Sequence, residues 1–210
     1  MYQVIIFDLD GTLIDSSEGI IHAAEKTIEI LGYPSMSRDE IRSYIGPPVG
    51  KGIIERNGFD EKELNHFNSV FRDLYKNKYL MEASVYPGVY NMLSSLKDRF
   101  VCIATNKRED YTKMLLDNFK ISELCDCVRG LDMKGELKKR NLIEDCIKAS
   151  NNSVQNNIVM VGDTDNDLFA AKECNIDFIG VTYGFGFKNE SDVKYGRAVK
   201  SVQSLLDVLL

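Results

Sequence analysis

Val4-Ile5-Ile6-Phe7-Asp8-Leu9-Asp10-Gly11-Thr12-Leu13, near the start of a 210-residue chain, joins an apolar run to an acidic turn. Successive β-branched and aromatic residues are what a strand buried on both faces requires, and the Asp-Leu-Asp-Gly sequence stops it. The predicted strand covers Tyr2 to Phe7. Four further runs share its character: Phe100 to Ala104, Cys125 to Val128, Ile158 to Val161 and Phe178 to Val181. Segments of helical period lie between them. Strands alternating with helices imply an α/β fold, with a Rossmann-like parallel sheet covered on both faces and right-handed crossovers.

The interval between the first two strands is too long for one crossover and contains no strand pattern, so an inserted α-helical domain is expected. The predicted division is 1–15 with 82–210 as the core and 16–81 as the insertion. Glu18 to Leu31 places Ile20, Ile21, Ala24, Ile28 and Leu31 at helical spacing, and Gly32 follows as a stop. Ser37 and Glu40 have capping-box spacing for a short helix ending before Gly46-Pro47-Pro48. Asp60 is placed to cap a helix carrying Leu64, Phe67, Phe71, Leu74 and Tyr75. Pro87 fits the first turn of a helix through Leu96, and Ser201 to Leu210 reads as an amphipathic closing helix.

Composition narrows the function classes. Hydrophobic residues make up 44% and charged residues 28%, an ordinary globular balance. No apolar run approaches the roughly 20 residues that span a bilayer, so neither a membrane partner nor a signal peptide is expected, and a soluble cytoplasmic setting is. A net charge of −6 with scattered Lys and Arg gives no basic stripe, which argues against nucleic acid. The five cysteines are odd in number and form no CxxC pair, so neither a zinc ribbon nor a disulfide framework is expected. Strand alternation would put Cys125 and Cys127 on one face as buried thiols. Oligomeric state is not legible.

Open parallel sheets bind ligands beyond the carboxyl ends of their strands. The first strand delivers Asp8, Asp10, Gly11, Thr12 and Asp15 there, the second Thr105 and Asn106, and the fourth Asp163, Asp165, Asn166 and Asp167. Carboxylates this close repel in a low-dielectric cleft, and a hard cation that prefers oxygen resolves the conflict. Magnesium is the expected cofactor, with Asp163 as a third protein ligand beside Asp8 and Asp10. No Cys or His joins these loops, which argues against zinc.

This constellation resembles the haloacid dehalogenase superfamily of aspartate-nucleophile hydrolases along essentially the whole chain. Asp8 to Leu13 matches the first motif, Thr105 the second, a lysine near Lys139 the third, and Gly162 to Asp167 the fourth. The insertion is similar to the helical cap of the subgroup containing phosphoglycolate phosphatases and nucleotidases, and Tyr86-Pro87-Gly88-Val89 resembles its return to the core.

The resemblance implies a sheet of order 5-4-1-2-3 and a phosphatase acting on a small phosphorylated metabolite, phosphoglycolate-like or nucleotide-like. In that chemistry Asp8 attacks phosphorus, Asp10 is the acid–base, and Thr105 and Lys139 hold phosphoryl oxygens. The proline usual after that lysine is absent, and Lys138 is the alternative.

Among the fourth-motif residues, Asp163 would ligate the metal directly while Asp167 holds a metal water or the lysine, and Asp165 and Asn166 read as helix caps. Gly11, Thr12 and Asn106 are the other substrate-side candidates. Gly46 to Lys51 resembles a loop that relatives place over the active site, though a plain helix-connecting turn fits the same residues. Lys51 and Arg42 are its candidate cations. His22 and His66 lie outside every motif.

A dehalogenase needs neither Asp10 nor the acidic fourth motif. A phosphonatase would require a cap lysine such as Lys26 or Lys51 as a Schiff base. Sugar-phosphate mutases share the core and stay open as an alternative. A non-catalytic regulatory protein would be expected to have lost one of Asp8, Asp10, Thr105 and Asp163, and all four are present.

Overall fold

β1 (Val4–Phe7) runs buried along its whole length into the acidic turn and the two-residue β2 (Ile14–Asp15). Then come α1 (Ser17–Leu31), α2 (Arg38–Arg42), α3 (Val49–Arg56) and α4 (Glu61–Leu74), the last continuing as a π-helical turn over Tyr75–Tyr79. After β3 (Ser84–Val85) the chain alternates: α5 (Val89–Ser95), β4 (Phe100–Arg108), α6 (Glu109–Asn118), β5 (Cys127–Leu131), α7 (Lys139–Ala149), β6 (Ile158–Gly162), α8 (Asp165–Glu173) and β7 (Asp177–Val181). β8 (Arg197–Val199) and α9 (Val202–Leu209) close it. These elements come from a computed structural model that describes residues 1–46, 49–132, 137–151 and 157–210. They divide into two units, Met1–Asp15 with Val85–Leu210 and Ser16–Ser84.

Among the described residues of the first unit, six parallel strands form one sheet of order β5-β4-β1-β6-β7-β8. In the numbering of the five predicted strands this is 3-2-1-4-5, the expected order read from the other edge. β8 is the addition. Three residues, one of them Arg197, are too few to register as a strand in sequence, and pairing with β7 alone makes them one. One sheet face packs Val4, Ile6, Cys102, Met160 and Phe178 against Leu142, Ile143 and Cys146 of α7 and Leu168 and Ala171 of α8. Full burial of each such aliphatic or aromatic side chain contributes about 1.5–3 kcal/mol, which explains why β1 tolerates no polar residue before Asp8.

The second unit is helical. Ser37 and Asp60 accept hydrogen bonds from Glu40 N and Glu63 N, the caps expected of them, and Gly32 ends α1 in the left-handed conformation. α3 is unexpected, because Gly50 and Gly52 disfavour a helix. Their value is close approach. A Cβ on Gly52 would lie 2.3 Å from the Tyr44 ring, and one on Gly50 2.5 Å from Asn68 Oδ1. Val49, Gly50 and Lys51 are therefore helical rather than part of a loop, while Pro47 and Pro48 lie outside the described residues.

Two boundaries also move. β5 begins at Cys127, because Cys125 ends a short turn over Ser122–Leu124, so the two thiols do not share a strand face. α5 begins at Val89, because Gly88 takes φ +92° at the cap position and leaves Pro87 ahead of the helix.

Candidate active site

Strand register brings the predicted residues to one edge. Phe7 is level with Ile103 on one side and Val161 on the other, so Asp8 and Asp163 leave the sheet beside the stretch of β4 that carries Thr105. All three are buried. Asp8 N–H donates to the Val161 carbonyl at 2.8 Å, which fixes the first residue past β1. The turn then closes on itself, with Leu13 N–H donating to the Leu9 carbonyl at 2.9 Å and Gly11 N–H to that of Ile14 at 2.8 Å.

Lys139 opens α7 and is 3% exposed. Its Nζ lies 2.6 Å from Asp8 Oδ1 and 2.7 Å from Asp167 Oδ1. Lys138 is exposed, and its main-chain N–H donates to Asn141 Oδ1 at the start of the same helix. The other oxygen of Asp167 accepts from Thr164 N at 3.1 Å and Thr164 Oγ1 at 2.6 Å. Thr164, not Asp165 or Asn166, is thus the cap of α8, because the Asp167 carboxylate turns back to it. Both oxygens of Asp167 are engaged.

Asp163 contrasts with it. Oδ2 accepts from Phe185 N at 2.7 Å and Gly186 N at 3.2 Å, whereas Oδ1 is buried with no hydrogen-bond partner among the described residues. Thr12 is fully buried, and its carbonyl accepts from the Tyr183 hydroxyl at 2.9 Å. Asn106 is exposed near the end of β4. Lys107, which the sequence did not single out, places Nζ 3.2 Å from Asp10 Oδ2 and donates its main-chain N–H to Thr105 Oγ1 at 3.2 Å.

Burial and crowding set the charges. Asp163 is pushed up to about 8 by burial, then by Asp167 and Asp8, against the pull of the two loop N–H groups. Burial also raises Asp8, to about 6, although Lys139 draws it down. Burial alone would lower Lys139, but Asp167 and Asp8 outweigh it and hold the ammonium above the ordinary lysine range. Oxygens of Asp8, Asp163 and Asp167 lie within 4.8 Å of one another. The Lys139 ammonium does not balance three clustered carboxyls, and the unpartnered oxygen of Asp163 is a hard donor. The residues fit a hard divalent cation.

Thiols gather elsewhere. Cys102, Cys127 and Cys146 place their sulfurs within 4.8 Å inside the core, a grouping invisible in spacing because it joins two paired strands and α7. Hydrogen bonding with Cys146 and burial raise Cys127, and Cys146 is raised too, so Cys127 and Cys146 stay protonated, and the buried cluster behaves as apolar filler.

Gly46 and Lys51 belong to the helical unit. Gly46 is exposed with φ +126°, and Lys51 is exposed on α3, 3.8 Å from Glu55. Arg42 is committed to Ser17 at 3.0 Å and Glu18 at 2.9 Å, which removes it as a free cation for substrate. His22 pairs with Glu82, and His66 is exposed. No helix among the described residues is long and apolar enough to cross a membrane.

Sequence reasoning overlooked Lys107 and the Tyr183-Gly184-Phe185-Gly186-Phe187 segment. The signal for the second was available: glycines alternating with aromatics directly after the last predicted strand, hence at the same sheet edge.

Comparison with known proteins agrees with this geometry. A phosphoglycolate phosphatase of Colwellia psychrerythraea is 29% identical over 92% of this chain and 90% of its own, and a 5'-nucleotidase of Pseudomonas aeruginosa 29% identical over 90% and 86%. A phosphoglycolate phosphatase of Aquifex aeolicus reaches 31% over 87% and 86%. Among solved structures, a predicted phosphatase from Clostridium acetobutylicum superposes with a TM-score of 0.90 at 31% identity, over 100% of this chain and 98% of that one. With the haloacid dehalogenase-like hydrolase family matching residues 5–181, the chain belongs to that family.

Proposed function

We propose that this chain is a magnesium-dependent phosphatase that moves the phosphoryl group of a small monoester onto Asp8 and then releases it to water. Its class is that of phosphoric monoester hydrolases. The observation that carries the reading is Lys139 Nζ lodged between Asp8 and Asp167, which cluster with an Asp163 whose Oδ1 has no hydrogen-bond partner among the described residues. Asp8 is the nucleophile, forming the P–O bond as the ester oxygen leaves. Lys139 holds the attacking carboxylate in one orientation and draws its proton affinity down. Asp10 gives a proton to the leaving oxygen and later takes one from the water that opens the acyl phosphate. Thr105 Oγ1 and the Leu9 N–H are the neutral donors for phosphoryl oxygens, the Asp8, Gly11, Thr12 and Leu13 N–H groups being taken by main-chain carbonyls. Asp8, the Asp10 carbonyl and Asp163 would hold magnesium, with Asp167 fixing Lys139; the bound ion supplies the positive charge that the phosphoryl oxygens and the clustered acids lack.

The substrates named for the relatives, phosphoglycolate and a nucleoside 5'-phosphate, bring an anionic or polar group beside the ester. That favours a small phosphorylated metabolite here. The helical unit, inserted in sequence between the two parts of the catalytic unit, is assigned the role of a lid that selects among such esters.

Replacing Asp8 with Asn should abolish turnover of p-nitrophenyl phosphate while leaving the circular dichroism spectrum and melting temperature close to wild type. Acid-quenched wild-type enzyme should carry acid-stable, base-labile phosphate on Asp8. Ordinary turnover by Asp8→Asn would overturn the assignment.

A further inference from the structure

Asp163 is built to offer one oxygen and withhold the other. Oδ2 is taken by two main-chain donors of a single loop, Phe185 N at 2.7 Å and Gly186 N at 3.2 Å, and Phe187 N–H donates to the Asp163 carbonyl at 2.8 Å. Oδ1 is buried and has no partner among the described residues. The loop reaches Asp163 only because it lacks side chains at the approach. A Cβ on Gly184 would lie 2.3 Å from the Gly11 carbonyl oxygen and 2.6 Å from Asp163 Oδ2, and one on Gly186 2.4 Å from the Asp163 carbonyl oxygen. Gly11 closes the other side, where a Cβ would stand 2.3 Å from Oδ2. The Tyr183 hydroxyl, donating to the Thr12 carbonyl at 2.9 Å, ties the same loop to the catalytic turn.

We propose that the Tyr183–Phe187 loop is the cation-selectivity element of this site: by occupying Asp163 Oδ2 it restricts Asp163 to a single donor oxygen, so that a small six-coordinate cation is accepted and a larger one refused. The inference rests on the reading of Asp163 as a metal ligand. Its chemistry is general. Magnesium takes six oxygens in near-ideal octahedral order, whereas calcium takes six to eight at longer range and commonly draws both oxygens of a carboxylate. A carboxylate whose second oxygen already accepts two N–H donors cannot become bidentate without leaving both donors unpaired in a buried place. The loop thereby denies calcium a ligand at no expense to magnesium. Outer-shell partners of this type change metal affinity by about 10–100-fold when removed.

The test is direct cation binding to the whole protein, read by loss of the free Mn²⁺ electron paramagnetic resonance signal and by displacement with Mg²⁺ or Ca²⁺. Phe185→Pro removes one donor, Phe185→Leu keeps it, and Gly184→Ala pushes the loop away without touching either N–H. Phe185→Leu should keep wild-type binding. Phe185→Pro and Gly184→Ala should lower Mg²⁺ affinity by about tenfold or more and shrink the preference for Mg²⁺ over Ca²⁺ by a similar factor. If Phe185→Pro does not fold, as judged by circular dichroism, Gly184→Ala decides alone. Asp163→Ala separates the two layers. If it binds Mn²⁺ as wild type does, the ligand assignment itself fails. If it loses binding while a folded Gly184→Ala or Phe185→Pro retains the wild-type ratio of Mg²⁺ to Ca²⁺ affinity, the ligand assignment stands and the selectivity role of the loop is refuted.

Discussion

The two units share exposed surface ion pairs, such as Arg140–Glu144 in the first and Arg56–Glu40 in the second, but the buried set at the sheet edge belongs to the first. At the sheet edge Lys139 meets Asp8 across 131 residues of sequence, and the ammonium and both its carboxylate partners are almost closed to solvent. In the helical unit Arg38 meets Glu18 and Glu25, Arg42 meets Glu18, Arg56 meets Glu40, and Lys51 faces Glu55, with every one of these side chains 32% exposed or more. Exposed pairs are screened and individually worth about 0–1 kcal/mol, whereas removing one member of a buried pair strands the other. The catalytic unit therefore holds, besides its exposed pairs, one buried set where loss is severe. The pairs named in the helical unit lie where substitution is mild.

Lys139→Met is the sharpest way to break this contrast. It leaves Asp8 and Asp167 buried without their cation and should destabilise the protein by about 3 kcal/mol in urea unfolding. Turnover should fall by about 10²–10³-fold or more, since a donor to the reacting group goes with it. A stability change below about 1 kcal/mol would show that the pair is no more consequential than the surface ones.

The difference also explains what could be read from the sequence. Burial along Val4 to Phe7 and its four counterparts leaves a local record, so the strands were legible, as were Asp8, Thr105 and Asp163 at their ends, whereas the order of the strands came only from the family resemblance. Ser37 and Asp60 were legible for the same reason, a cap and its partner being three residues apart. Lys107 and the Cys102–Cys127–Cys146 cluster were not, because each depends on which strand lies beside which, whereas the segment carrying the Phe185 and Gly186 donors left a signal that was overlooked. α3 was hidden by Gly50 and Gly52, where packing overrides helix propensity, and β8 by its brevity.

Asp163→Asn probes the expense of clustering acids. In metal-free buffer the wild-type carboxyl, raised to about 8 by burial and by Asp167 and Asp8, binds its proton more tightly folded than unfolded. Such a group stabilises the fold at low pH, and that contribution drains away as pH rises from about 4, its unfolded value, to about 8. The neutral amide has no such loss. Its melting temperature should exceed that of wild type by a margin that widens across this window and levels off above it. An advantage of about 1 kcal/mol would appear as about 2–4 °C in a chain of this size. Turnover should nonetheless be lost. A variant that melts below wild type above pH 8 would mean that the cluster is not a source of instability.

The smallest effects should come from the helical unit, and there Arg42 and Lys51 part company. Arg42 spans Ser17 and Glu18 of α1 from the end of α2, so Arg42→Ala removes an interhelical tie and should cost about 1 kcal/mol or less, leaving the order of preferred substrates unchanged. Among the described residues Lys51 has no ion pair firmer than that with Glu55 at 3.8 Å, so Lys51→Ala should leave stability within about 0.5 kcal/mol of wild type. If the helical unit selects substrate, that exposed ammonium is available to anionic leaving groups. Lys51→Ala should then lower kcat/KM for esters carrying a second negative charge, such as phosphoglycolate, by a few-fold relative to p-nitrophenyl phosphate. The comparison is internal, because both esters use Asp8 and Lys139 identically and a defect in the catalytic unit would scale them together. Equal proportional losses on charged and uncharged leaving groups would remove Lys51 from recognition and leave the helical unit with a structural role.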